Sequence, residues 1–172
     1  MVQRWLRRFR RQAPGTKPPA VAQTASSPSP PSPPQPTPAT AVSPDDLANP
    51  AIERLAEDEA LRGDLTDDGF LPLQNWAFAR LQRIAHEAAH NPDPQAAMDG
   101  YTAQIRAFVQ AAVQAAEKKS LGDLADQIKP RVVLAKDVPT VVAALRKIAF
   151  TDDADANAQA IAAALPTEGN AS

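Results

Sequence analysis

The chain contains no cysteine among its 172 residues. Disulfide bonds, thiolate metal sites and cysteine nucleophiles are therefore excluded together. Glycine is scarce, and no glycine-rich phosphate-binding loop or G-x-S-x-G nucleophile motif occurs. No apolar run approaches the roughly 18 residues that a membrane-spanning helix needs, and the N-terminus lacks the uninterrupted apolar core of a secretory signal. We expect a protein that neither spans a membrane nor is secreted.

Acidic residues are missing from the first 44 positions, which carry six basic residues. Because the whole chain has a net charge of −2, the segment of +6 leaves −8 for the remainder. A domain of that charge has no basic surface to follow a phosphate backbone, so we expect no nucleic-acid partner. Contact with an anionic surface is left to the N-terminus.

Residues 1–12 have the pattern of a basic amphipathic helix. Their apolar side chains are spaced i, i+3, i+4, i+7, whereas the arginines lie on the other side of the helix. Such a segment binds an anionic membrane surface or a groove on a partner protein, and at about three turns it orders on binding. The predicted binding residues are Arg4, Trp5, Leu6, Arg7, Arg8, Phe9 and Arg11.

Residues 13–44 are rich in Pro, Ser and Thr, and we interpret them as a disordered linker. Runs of Ser-Pro and Pro-Pro are also typical of SH3 or WW ligands and of phosphorylation targets. We expect a cytoplasmic protein, which is peripheral at a membrane if residues 1–12 bind lipid. An arginine-rich, acid-free start followed by Ser, Thr and Pro also has features of an organelle transit peptide, which import would remove.

Residues 45–166 predict an all-α domain of five to six helices, arranged as a bundle or an orthogonal array, with a disordered tail at 167–172. No run of alternating β-branched and polar residues is long enough for a strand. Helix starts are expected where a capping residue or a proline precedes an apolar stripe. These signals are Asn49-Pro50, Thr66-Asp67-Asp68, Asp93-Pro94, Ser120 to Asp123, Asp137 with Pro139, and Thr151-Asp152-Asp153.

Apolar residues at helical spacing predict which side chains form the core. The second helix should bury Phe70, Leu73, Ala77, Leu81, Ile84 and Ala88, and the third Met98, Tyr101, Ile105, Phe108, Ala112 and Ala115. The first should bury Ile52, Leu55 and Ala56 and end near Gly63, and the last Ala154, Ala158, Ile161 and Leu165. Gly100 lowers helix propensity, so we expect a neighbouring helix to pack closely there.

The string His86-Glu87-Ala88-Ala89-His90 resembles the HExxH motif of zincin metalloproteases, and these are the chain's two histidines. The resemblance implies zinc bound by His86 and His90, Glu87 as general base, and a third ligand downstream such as Glu117. On the helical wheel, however, both histidines point away from the apolar stripe, and Pro92 follows immediately. We therefore interpret them as a solvated face that could bind a metal weakly.

Two functional hypotheses follow from these patterns. The first is a non-catalytic helical protein-interaction module without a cofactor, attached to a membrane surface or larger complex through residues 1–12. Its partner is a protein whose identity and stoichiometry the sequence does not reveal. The second is a zinc-dependent hydrolase that uses His86, Glu87 and His90.

Overall fold

A computed structural model describes residues 42–166. The predicted amphipathic helix (1–12), most of the predicted linker (13–44) and the predicted tail (167–172) lie outside the described residues. Within 42–166 there are helices and no strand, which confirms the all-α prediction. The α-helices are α1 (Pro44–Ala56), α2 (Asp67–Ala88), α3 (Pro94–Glu117), α4 (Val138–Leu145) and α5 (Ala154–Ala164), and the 3-10 helices are η1 (Glu59–Arg62) and η2 (Gly122–Gln127).

Helices α2 and α3 form the centre of the domain as an antiparallel pair. The ring centroids of Trp76 and Phe108 lie 5.0 Å apart, and Asp64, just before α2, contacts Glu117 at the end of α3. Thr66 caps α2 by accepting a hydrogen bond from the Gly69 N–H, and Asp93 caps α3 in the same way. The two predicted stripes are buried, apart from Tyr101, which is half-buried.

The first helix begins six residues earlier than predicted. It starts at Pro44, the last residue assigned to the linker, and Pro50 lies inside it. Proline occupies N1 at Pro44, where its missing N–H has no partner to lose, so this earlier proline sets the start. The added turns contribute Leu47 and Ala48 to the inward face, which also includes Ala51 and Leu55. Ala56, predicted to be buried, is exposed.

Two further predictions are wrong, one about helix packing at Gly100 and one about the type of helix after Ser120. Gly100 is exposed, and a Cβ there would meet no atom within 4 Å, so no helix packs closely against it. The segment after Ser120 forms the 3-10 helix η2 rather than an α-helix, and Ser120 Oγ accepts from the Gly122 N–H instead of capping at Asp123. Lys119 and Gly122 both have positive φ, which prevents a continuous helical start there.

One end of the domain joins the start of α2, the end of α3 and the start of α5, and we call it the junction (residues 63–69, 116–117 and 151–157). The Glu117 carboxylate accepts from the Asp64 N–H at 2.8 Å. The Asp155 carboxylate accepts from the Thr66 N–H at 3.0 Å and from its hydroxyl at 2.6 Å. Since α2 and α5 both start here and line one groove further on, they run in the same general direction.

Asn157 is the buried polar centre of the junction, at 2% exposure. Its Nδ2 donates to the carbonyls of Ala116 and Thr151, both at 3.0 Å. Its Oδ1 accepts from the Thr151 N–H at 2.8 Å. The amide thereby satisfies backbone groups that neither α3 nor α5 can satisfy internally, which fixes the two helices to each other.

Candidate functional site

An open apolar groove of about 520 Å³ runs between α2 and α5. Both walls are helical. The small side chains of α5 leave space beside the larger side chains of α2, and this space is the groove. The lining residues are Pro72, Asn75, Trp76, Ala79, Gln159, Ala162, Ala163 and Leu165. Grooves of this size between helices are common binding sites for an amphipathic segment or a small apolar ligand.

Trp76 contributes the largest side chain of the groove. The residue is 8% exposed and packs against Phe108 of α3 on the other side. Its indole Nε1 is buried and has no hydrogen-bond partner within residues 42–166. A buried indole N–H normally has an acceptor, and leaving one unsatisfied is unfavourable by about 1–3 kcal/mol. Trp76 is therefore a buried wall residue whose own N–H is unsatisfied among the described residues.

A second depression, of about 330 Å³, lies along α2 on its η1 side. Its apolar members include Phe70 and Leu71, and Leu71 is 48% exposed. Its charged members are the carboxylates Asp58, Glu59, Asp67 and Asp68, with Arg62 as the one cation lining it. Since α2 forms a wall of both depressions, a ligand lying along α2 can use the apolar groove and the carboxylates together.

The charge of the described domain is unevenly distributed along the chain. Residues 45–68 contain nine acidic residues and two arginines, a net charge of −7. Residues 69–166 contain ten acidic and ten basic residues and are balanced. The field of the domain is therefore most negative around α1, η1 and the first turn of α2, which line the second depression.

The histidine motif lies at the opposite end of α2. Both His86 and His90 are exposed, and α2 ends at Ala88, so His90 lies beyond the helix. The Nδ1 of His90 is 2.7 Å from the His86 carbonyl oxygen. Because a carbonyl oxygen only accepts, this nitrogen donates and continues the hydrogen bonding of the last helical turn. The two histidines therefore form a hydrogen bond that caps the end of α2.

The predicted third zinc ligand, Glu117, is not near the histidines. Glu117 accepts from Asp64 at the junction, and His86 is 19 residues from the start of α2, about 28 Å along the helix. Within residues 42–166, no group of three or more histidine, aspartate and glutamate side chains is placed to hold a metal ion. The donor set does not fit a zincin centre, which needs three protein ligands.

The predicted binding residues between Arg4 and Arg11 lie outside the described residues, so their binding role stays a prediction. Among the described helices, none is both long and apolar enough to cross a bilayer.

The groove was not predicted from the sequence. Trp76 falls at the edge of the apolar stripe of α2, and the alanines opposite it look like ordinary core positions. Arg80 was missed in the same way: it is 2% exposed, and its Nε and Nη2 donate to the Arg131 carbonyl at 3.0 and 2.8 Å. These partners are distant in sequence, so no local pattern indicates them.

Comparison with known proteins gives no relative: no family model, no curated protein and no solved structure matches the chain.

Proposed function

We propose that this chain is a non-catalytic protein-interaction module, whose helical domain binds a partner protein in the groove between α2 and α5. Residues 1–12 attach the module to an anionic membrane surface or to a larger complex. The observation that carries the proposal is an open apolar groove between two helices, with Trp76 in its wall. Filling the groove removes apolar surface from water.

The groove is supported by fixed elements, which favours binding without rearrangement. At one end, Asp155 holds the start of α5 against Thr66, and Asn157 holds it against α3. Rigid walls reduce the conformational entropy that a protein loses on binding.

The groove is tested by adding a long cation to its wall. Ala163→Arg places a guanidinium at an exposed groove position, whereas Ala143→Arg makes the same change at an exposed position of α4. Quantitative mass spectrometry measures the amount of each protein that the chain captures. We expect A143R to capture the same amounts as the wild-type chain and A163R to capture at least tenfold less. Equal capture by the two variants would refute the groove as the binding site.

The membrane part is tested with the full chain and phosphatidylserine vesicles. Each arginine near an anionic leaflet contributes about 1 kcal/mol, so replacing Arg4, Arg7 and Arg8 with Gln should weaken sedimentation with vesicles more than a hundredfold at low salt. Trp5→Ala with Phe9→Ala should weaken binding at every salt concentration, because apolar contacts are not screened. Unchanged sedimentation of both variants would exclude residues 1–12 as the membrane anchor.

A further inference from the structure

The two depressions along α2 differ in chemistry, and together they define the kind of partner that fits. One is apolar and is lined by Trp76, and the other brings Asp58, Glu59, Asp67 and Asp68 to the η1 side of the same helix. An occupant of both needs an apolar stripe with cations beside it.

We infer that the partner element is a short basic amphipathic helix of another protein, lying along α2 with its apolar stripe in the α2–α5 groove. Its cations face the carboxylates on the η1 side. This inference rests on the proposed interaction function and adds the chemistry of the partner.

Charge complementarity is the first argument. Residues 45–68 carry a net charge of −7, while the rest of the described domain is balanced. A basic segment is therefore drawn to this side of the domain, and an acidic segment of the same apolarity is repelled from it. Arg62 pairs with Asp67, and Arg106 pairs with Asp58, which leaves Glu59 and Asp68 as the carboxylates in excess at this depression.

The shape of the surface is the second argument. Leu71 is 48% exposed and lines the acidic depression, one helical turn before Asn75 of the groove; Val42 is the one other exposed large hydrophobic residue within 42–166. A groove of about 520 Å³ has room for large apolar side chains of the kind that an i, i+3, i+4, i+7 stripe supplies. Isolated exposed apolar residues are ordinary, but one beside an apolar groove extends the contact.

The experiment uses Trp76 as the reporter. The chain has two tryptophans, so Trp5→Phe leaves Trp76 as the only one in an otherwise intact full-length chain. Three synthetic 12-residue peptides without tryptophan are titrated, each with leucine at positions 2, 5, 6 and 9. Their other positions alternate alanine with arginine, glutamine or glutamate.

We expect the arginine peptide to shift Trp76 emission saturably and to bind at least tenfold tighter than the glutamine peptide at low salt. The glutamate peptide should bind weakest. Neutralising the acidic side by Glu59→Gln with Asp68→Asn should remove most of the arginine preference. The matched pair Asp123→Asn with Asp126→Asn, on exposed positions of η2, should leave it unchanged.

The remaining outcomes separate the inference from the proposed function. If all three peptides bind equally and A163R abolishes binding, the groove binds helices but the basic partner is refuted. If no peptide changes Trp76 emission, the basic-helix inference is refuted, and the capture experiment with A163R decides the proposed function independently. If Leu6→Ala with Phe9→Ala raises affinity for the arginine peptide tenfold, residues 1–12 compete for the groove. The inference that the partner helix belongs to another protein is then refuted.

Discussion

The two ends of α2 are built in different ways. At its start, backbone N–H groups of Asp64 and Thr66 donate to side chains from α3 and α5, and a buried asparagine ties those two helices together. At its end, the two histidines are exposed, and His90 forms a hydrogen bond with the His86 carbonyl of its own helical turn. The comparison teaches that capping signals in the sequence do not show which helix end supports the tertiary structure. We expect substitutions to be severe at the junction and mild at the histidine end.

The largest effect is expected for Asn157→Ala. The substitution leaves the buried Ala116 carbonyl and the partly buried N–H and carbonyl of Thr151 without their partner, which should lower the free energy of unfolding by about 3 kcal/mol. Urea denaturation followed by circular dichroism measures the change. Asn49→Ala, at an exposed position of α1, is the matched control and should change stability by less than about 0.5 kcal/mol. Similar losses for both would show that the junction does not determine stability.

Gly69→Ala should have the next largest effect, about 2 kcal/mol of destabilisation. A Cβ at Gly69 would lie 2.1 Å from Asp155 Oδ1, so the carboxylate must move and its hydrogen bonds to Thr66 are lost. Gly100→Ala has open space in the middle of a helix and should stabilise the domain by about 0.5–1 kcal/mol. Gly69→Ala should lower the midpoint of unfolding, and Gly100→Ala should raise it. A double-mutant cycle with Asp155→Ala should be non-additive.

The smallest effect is expected at the other end of α2. His86→Ala and His90→Ala should each change stability by less than about 0.5 kcal/mol, since both side chains are exposed. Protein purified without a histidine tag should contain no stoichiometric zinc by plasma emission spectrometry. One zinc per chain, lost in His86→Ala, would favour the hydrolase hypothesis instead.

Local features of the sequence predicted the fold well. Thr66 and Asp93 were recognised as caps because a capping residue is followed at once by its helix, and the stripes of α2 and α3 were recognised because helical spacing is a local property. The start of α1 was misplaced because Pro44 and Pro50 give the same signal, and the sequence alone does not rank them.

Features formed by distant segments were not predictable. The groove depends on how α5 is placed against α2, which is determined by Asp155 contacting a residue 89 positions earlier. The burial of Arg80 depends on a carbonyl 51 positions later, and Asn157 looks from its local sequence like a surface residue of an alanine-rich helix. The charge imbalance of residues 45–68 was visible in the sequence, but the depression that its carboxylates line with α2 was not.

Arg80 has a consequence for how the region before α4 is shaped. In an α-helix the Arg131 carbonyl would accept from the amide of residue 135, but here it accepts from the guanidinium of Arg80. The chain between Pro130 and Asp137 accordingly forms successive turns, although Val132 and Val133 are buried as a helix would bury them. The buried guanidinium of α2 thus occupies the backbone acceptor that a helix through this segment would use for its own hydrogen bonding.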